Sequence, residues 1–137
     1  MTSFRFHITL LLTIGLVFAV DFSQAADITT NKSGDWNAPS TWKGGTVPSP
    51  NDNVTIRAKV TLSSNQSCAS LTVATDGTLN ITTSSTLTIN GDFSNSGTFS
   101  AGTGTVIFSG GNFSNSGTFS EGNGTVIFSG SIAKSIT

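Results

Sequence analysis

Tyrosine is absent from this chain, and cysteine, histidine and methionine occur once each. Charge is almost as scarce: six basic and seven acidic residues among 137, for a formal net charge of −1 at pH 7. Without clustered Lys and Arg there is no electrostatic footprint for nucleic acid or for an anionic membrane, so neither is expected as a partner. A single cysteine, Cys68, rules out an internal disulfide, and stability has to come from packing. No basic residue adjoins Cys68 to favour a thiolate, so it reads as a small buried hydrophobe. The lone histidine is His7, at the extreme N-terminus. Long polar segments rich in Gly, Ser, Thr and Asn show no 3.6-residue periodicity, and glycine recurs too often for helices.

The first 25 residues stand apart. Arg5 and His7 make a basic start, Ile8 to Val20 is a mostly apolar run, and Ser23-Gln24-Ala25 places small residues where a signal peptidase reads. This pattern predicts a secretory signal peptide over 1–25, cleaved after Ala25. A membrane span needs about 20 apolar residues, and Asp21 closes the run early. The expected address is therefore secreted, extracellular or at the outer cell surface, with no membrane span left after cleavage.

What is present is repetition. Residues 91–110 recur at 111–130 with only Asp92/Asn112, Ala101/Glu121 and Thr103/Asn123 changed. A unit this short buries its apolar side chains only by stacking on a copy of itself. From residue 54 onward apolar pairs alternate with polar residues (Val54/Ile56, Val60/Leu62, Leu71/Val73, Leu79/Ile81, Leu87/Ile89, Val106/Phe108, Val126/Phe128), which is the period of strands. Turn residues that tolerate positive φ separate them. The predicted fold is all-β: a right-handed parallel β-helix, or solenoid, with coils of about 20 residues. The repeat orders four inward columns: Val73, Phe93, Phe113; Leu79, Phe99, Phe119; Leu87, Val106, Val126; and Ile89, Phe108, Phe128. Cys68 falls into the third, Gly77, Gly97 and Gly117 mark a shared corner, and Ile107 and Ile127 point outward.

Residues 26–53 differ in kind, holding both tryptophans and all three prolines. They are read as an N-terminal cap shielding the first rung, with coils over 54–137. Beyond Phe128, Ile132 and Ile136 open what reads as another coil, so the C-terminus is expected to be a truncation whose last coil, residues 125–137, self-associates.

Candidate chemistry is sparse. Beyond the signal peptide only six carboxylates and one thiol remain, and Asp92 and Glu121 fall at different corners, too far apart for a glycosidase pair. No catalytic residue, no cofactor and no metal centre is expected. Asp52, between Asn51 and Asn53, is the one candidate metal ligand, with a plain turn favoured. Trp36 and Trp42 are the candidate ligand-binding residues, since indole rings stack on sugars, although burial in the cap suits them better.

The run from Gly34 to Ile56 (GDWNAPSTWKGGTVPSPNDNVTI) resembles the opening of secreted β-solenoid surface proteins common in Bacteroidota, where two Trp precede a Val-Pro, an Asp-Asn-Val and the first strand. It is similar also to the start of the G8 domain, a β-rich extracellular module of cell-surface and hyaluronan-related proteins. The GTF…GTVIFSG repeats are similar to the filamentous parts of the bacterial proteins, and the likeness extends over roughly 34–130. It implies an exported, non-enzymatic, structural or adhesive β-helix segment of a bacterial cell-surface protein, an adhesin whose partner is an extracellular glycan or surface protein. The alternative is a glycan-binding module, or the non-catalytic front of a polysaccharide-degrading β-helix enzyme.

Overall fold

The computed structural model describes residues 24–130 and, as backbone, the strand at 133–136; most of the expected signal peptide lies outside the described residues. The chain winds into successive coils. The first holds β1 (Asp27–Thr29) and β2 (Gly34–Asp35). The next four each hold three strands: β3 (Asn53–Ile56), β4 (Lys59–Leu62) and β5 (Gln66–Cys68); β6 (Ser70–Val73), β7 (Thr78–Ile81) and β8 (Thr86–Ile89); β9 (Phe93–Asn95), β10 (Thr98–Ser100) and β11 (Thr105–Phe108); β12 (Asn112–Asn115), β13 (Thr118–Ser120) and β14 (Thr125–Phe128). Strand β15 (Ala133–Ile136) begins another. Each strand pairs in parallel with the equivalent strand of the coil above and below, giving three sheets: β1-β3-β6-β9-β12-β15, β2-β4-β7-β10-β13 and β5-β8-β11-β14. The all-β solenoid of about 20-residue coils expected from the repeat is thus the fold.

Alternation inside each strand builds the core. Val54, Leu71 and Phe93 are buried one above the other, as are Val60, Leu79 and Phe99, while the residues between them face out. In the two repeats, register places like on like. Phe93 stacks on Phe113 at 5.1 Å, Phe99 on Phe119 at 5.0 Å with the rings 7° apart, and Phe108 on Phe128 at 5.0 Å. Edge-to-face contacts such as Phe93 to Phe99 at 5.5 Å tie the columns to one another across the interior. Each fully buried Phe contributes about 1.5–3 kcal/mol of transfer free energy, and a favourable ring pair adds about 0.5–1.5 kcal/mol.

Two columns differ from expectation by one alternation. Val73 pairs with Asn95, and the partner of Phe93 is Leu71. Cys68 pairs with Ile89, so it belongs to the fourth column; Gln66 takes the place beside Leu87. The cause lies at the corners. Between Val73 and Leu79 the chain makes the extra Thr75–Asp76 turn that the corner between Asn95 and Phe99 lacks, and the corner from Ile81 to Leu87 is similarly longer than that from Leu62 to Gln66. A corner longer by two residues preserves the in-out alternation, so periodicity alone leaves the column undetermined.

The shift puts asparagine in the core. Asn95 is 1% exposed, and its amide Nδ2 donates to Asn115 Oδ1 at 2.7 Å and to the Thr118 carbonyl at 2.8 Å. The amide of Asn115 in turn donates to the carbonyl of Gly117 at 3.3 Å. These bonds stitch a corner of one coil to the next and satisfy Asn95 Nδ2, while Asn95 Oδ1 is buried with no partner among the described residues. Position 101 is also interior: Ala101 is fully buried, whereas its repeat equivalent Glu121 is exposed.

The shared glycine corner exists, but for a different reason than turn geometry. Gly77, Gly97 and Gly117 do not have positive φ. A Cβ on Gly97 would instead collide with the carbonyl oxygens of Ala74 and Gly77 in the coil below, and one on Gly117 with the carbonyl of Gly97. Gly45, by contrast, has φ +72° with open space around it. Gly97→Ala is therefore expected to lower the urea midpoint far more than Gly45→Ala, whose cost is about 1 kcal/mol. Phe113→Ala should cost about 3–5 kcal/mol; a loss below about 1 kcal/mol in the same measurement would contradict the packing described.

Candidate functional site

Both tryptophans lie inside the first coil. Trp36 is fully buried and Trp42 is 1% exposed, with ring centroids 5.2 Å apart in an edge-on arrangement. Trp42 Nε1 donates to the Trp36 carbonyl at 2.7 Å. The strand-like backbone at Trp42 bridges antiparallel to Thr30, so the segment folds back across the base of the core. Neither ring offers a face to a sugar in this arrangement; both belong to the buried apolar cluster that also holds Val60 and Leu62.

Asp52 is 5% exposed at the corner before β3. Its Oδ1 accepts the backbone N–H of Ala26 at 2.9 Å and its Oδ2 that of Ser49 at 2.7 Å. Burial opposes ionisation, but the N–H groups of Ser49 and Ala26 and the Ser49 hydroxyl outweigh it and hold the carboxyl below its ordinary 3.8. The flanking Asn53 is engaged as well: its Nδ2 donates to Asp27 Oδ1 at 2.9 Å and its Oδ1 accepts the Ser70 hydroxyl at 2.7 Å. The corner is a lock between three successive coils, and it joins Asp52 to the start of β1.

The other carboxylates are dispersed. Asp92 Oδ1 accepts the N–H of Asn112 in the next coil at 2.7 Å, Asp35 Oδ1 that of Asn37 at 2.8 Å, and Asp76 lies 3.9 Å from Arg57 in an exposed pair worth little. No group of three or more His, Cys, Asp or Glu converges among the described residues.

A concave surface appears where sequence reasoning did not look. Strands β5 and β8 of the third sheet, overhung by Pro50 from the first coil, form a groove of about 520 Å³ lined by Pro50, Asn65, Gln66, Ser67, Thr86 and Thr88. Its floor is fixed: Asn65 Oδ1 accepts the Thr86 N–H at 2.8 Å, and Gln66 Nε2 donates to Asn37 Oδ1 at 2.7 Å. The Ser67, Thr86 and Thr88 hydroxyls have no partner among the described residues. Along the same face, register lines up Ser67, Thr88, Ile107 and Ile127, so the outward isoleucines continue the groove's floor. Not one residue of β5, β8, β11 or β14 is charged, whereas Asp27, Asp35 and Lys59 sit on strands of the other two sheets. Lack of charge does not single these strands out in sequence, since β3, β6, β7, β9, β10, β12 and β13 carry none either; only the fold assembles four such strands into a face that also bears the two outward isoleucines.

A second depression, about 420 Å³, lies against the last complete coil and is lined by Phe113, Asn115, Phe119, Glu121, Val126 and Phe128. It is the interior of the solenoid seen end-on.

Compared with known proteins, the chain is matched over residues 41–133 by the family model for the G8 domain. The match takes in the second half of the first coil and both repeats, well past the opening segment that ends at Ile56. No curated protein and no solved structure matches it.

Cys68 offers a direct check on this arrangement. It is fully buried, and burial pushes its thiol up to about 12. In the native chain it should fail to react with an aromatic disulfide reagent at about pH 8 and react at once on unfolding in urea; rapid native labelling would mean that Cys68 does not face the core.

Proposed function

The chain belongs to the G8 domain family, and from that premise we propose that it is an exported, non-enzymatic module of a bacterial cell-surface protein, with a structural and adhesive role. The observation that carries this reading is an uncharged lateral face that bears outward apolar residues. A stiff stack of hydrogen-bonded coils presents one lateral face, that of β5, β8, β11 and β14, with no charged side chain and with two outward isoleucines; Ile127 is 41% exposed. Contact through such a face does not depend on ion pairs and is not screened by salt. Contiguous exposed apolar residues mark interaction surfaces, and Ile107 and Ile127 are neighbours in register on this face.

A second reading, glycan binding, is favoured by the groove at one end of this face. Its lining is uncharged, its hydroxyls are unspent, and Pro50 supplies an apolar wall. That chemistry suits a neutral saccharide, which in this reading contacts Asn65, Ser67 and Thr88 and not the buried tryptophans. The non-catalytic front of a polysaccharide-degrading enzyme would use the same surface.

Beads coated with the full chain test both readings against whole cells and against soluble neutral polysaccharides. Binding is expected at low and at high salt alike. Thr88→Lys and Ile107→Lys should weaken it on the order of tenfold, about 1.4 kcal/mol, while Thr98→Lys on the middle sheet and Thr72→Lys on the first should leave it unchanged. Binding to cells without binding to any polysaccharide selects the adhesive reading; equal losses for all four variants would sink the assignment of the face.

A further inference from the structure

The strand order of the solenoid begins one residue after the expected cleavage point. Gln24 and Ala25 are exposed and outside every strand, Ala26 accepts the Asn53 N–H on its carbonyl at 2.8 Å, and β1 starts at Asp27. The N–H of Ala26 points at Asp52 Oδ1, 2.9 Å away. Asp52 is a carboxylate with 5% exposure whose oxygens are answered only by N–H dipoles and a hydroxyl. A buried anion satisfied only by dipoles lacks a counter-charge.

We propose that Asp52 is the receptor for the processed N-terminus: cleavage between Ala25 and Ala26 turns the Ala26 amide into an α-ammonium paired with the Asp52 carboxylate. In the cleavage, catalysed by an export-associated peptidase, water adds across the Ala25–Ala26 peptide bond. The C–N bond breaks, oxygen goes to the Ala25 carbonyl carbon to make a carboxylate, and both hydrogens of the water end on the Ala26 nitrogen, which becomes the ammonium. No net proton is gained or lost. Ala26 is exposed, so the two additional N–H groups reach water while the third keeps the bond already present. The bond to the Asp52 carboxylate, already charge-assisted through its acceptor, then carries charge on both partners and becomes an ion pair.

The pairing has a defined pH window. An amine that gains a carboxylate partner has a raised folded pKa, so its contribution is fully present below its ordinary value of about 8 and is lost as pH rises through the folded value. Asp52 is lowered from 3.8, so its contribution is present above that value and is lost as pH falls through the folded one. Asp27, next in sequence, is the other carboxylate beside the ammonium and already accepts Asn53 Nδ2. Ser49, Asn53, Ala69 and Ser70, the neighbours of Asp52 on the adjoining corner and strands, carry no titratable side chain.

This inference rests on the export reading, and the test separates the two. N-terminal sequencing of the exported chain decides the processing: a start at Ala26 is expected, and another start overturns the proposal. Pairing is decided independently on chains beginning at Ala26, which retain every described strand and core residue. The free-amine form should melt about 5 °C above its N-acetylated form near neutral pH. That gap should close above the amine's folded pKa and be absent in Asp52→Asn. NMR titration should place the Ala26 amine above its ordinary value. Equal melting of free and acetylated wild-type chains, a comparison that needs no variant, would overturn the pairing, as would a gap that survives Asp52→Asn.

Discussion

Backbone hydrogen bonds between coils hold neighbouring rungs about 4.8 Å apart, and every other feature of the molecule answers to that spacing. A residue in a rung has its equivalent directly above and below, closer than the width of a large side chain. Positions are therefore selected for tolerance of their own kind. Flat rings meet the demand by stacking, as Phe99 and Phe119 do at 5.0 Å. Amides meet it by bonding up the column, as Asn95 and Asn115 do. Glycine meets it where backbone crosses backbone with no room for a Cβ, at Gly97 and Gly117.

Charge fails the same test. Like charges directly opposite in a ladder repel, so a column of Asp or Lys would weaken every rung it crossed. The chain resolves each case by changing residue along the column: Asp27 faces Asn53, which faces Ser70, and the Asp92 carboxylate takes the N–H of Asn112. The low charge content is a consequence of the fold. What charge remains is pushed to corners and to two of the three sheets, and the third is left neutral.

A stack also has to begin. The first coil supplies strands to two sheets and, in place of a third strand, folds the backbone at Trp42 across the base, so that two indoles fill the space a lower rung would have filled. This coil is anchored at its start by Asp52, which reaches from the third-sheet side of the coil to Ala26. The loop that takes the missing strand's place also raises Pro50 above β5 and creates the groove, so capping the core and shaping the lateral surface are done by the same residues.

The strands, the coil length, the stacked phenylalanines of the repeat and the interior place of Cys68 were legible in the sequence, because alternation and a 20-residue repeat record them residue by residue. The column in which Val73 and Cys68 stand was not, since a corner longer by two residues leaves every inward residue inward and moves only its partner. Nor were the interior amides of Asn95 and Asn115 legible, because Asn-Ser-Gly reads as a turn until the coil below shows which way the amide faces. The neutral face, the groove under Pro50 and the meeting of Ala26 with Asp52 join residues from separate coils, some 26 positions apart in the last case. Proximity of that kind is set by how coils stack, and only the tertiary structure decides it.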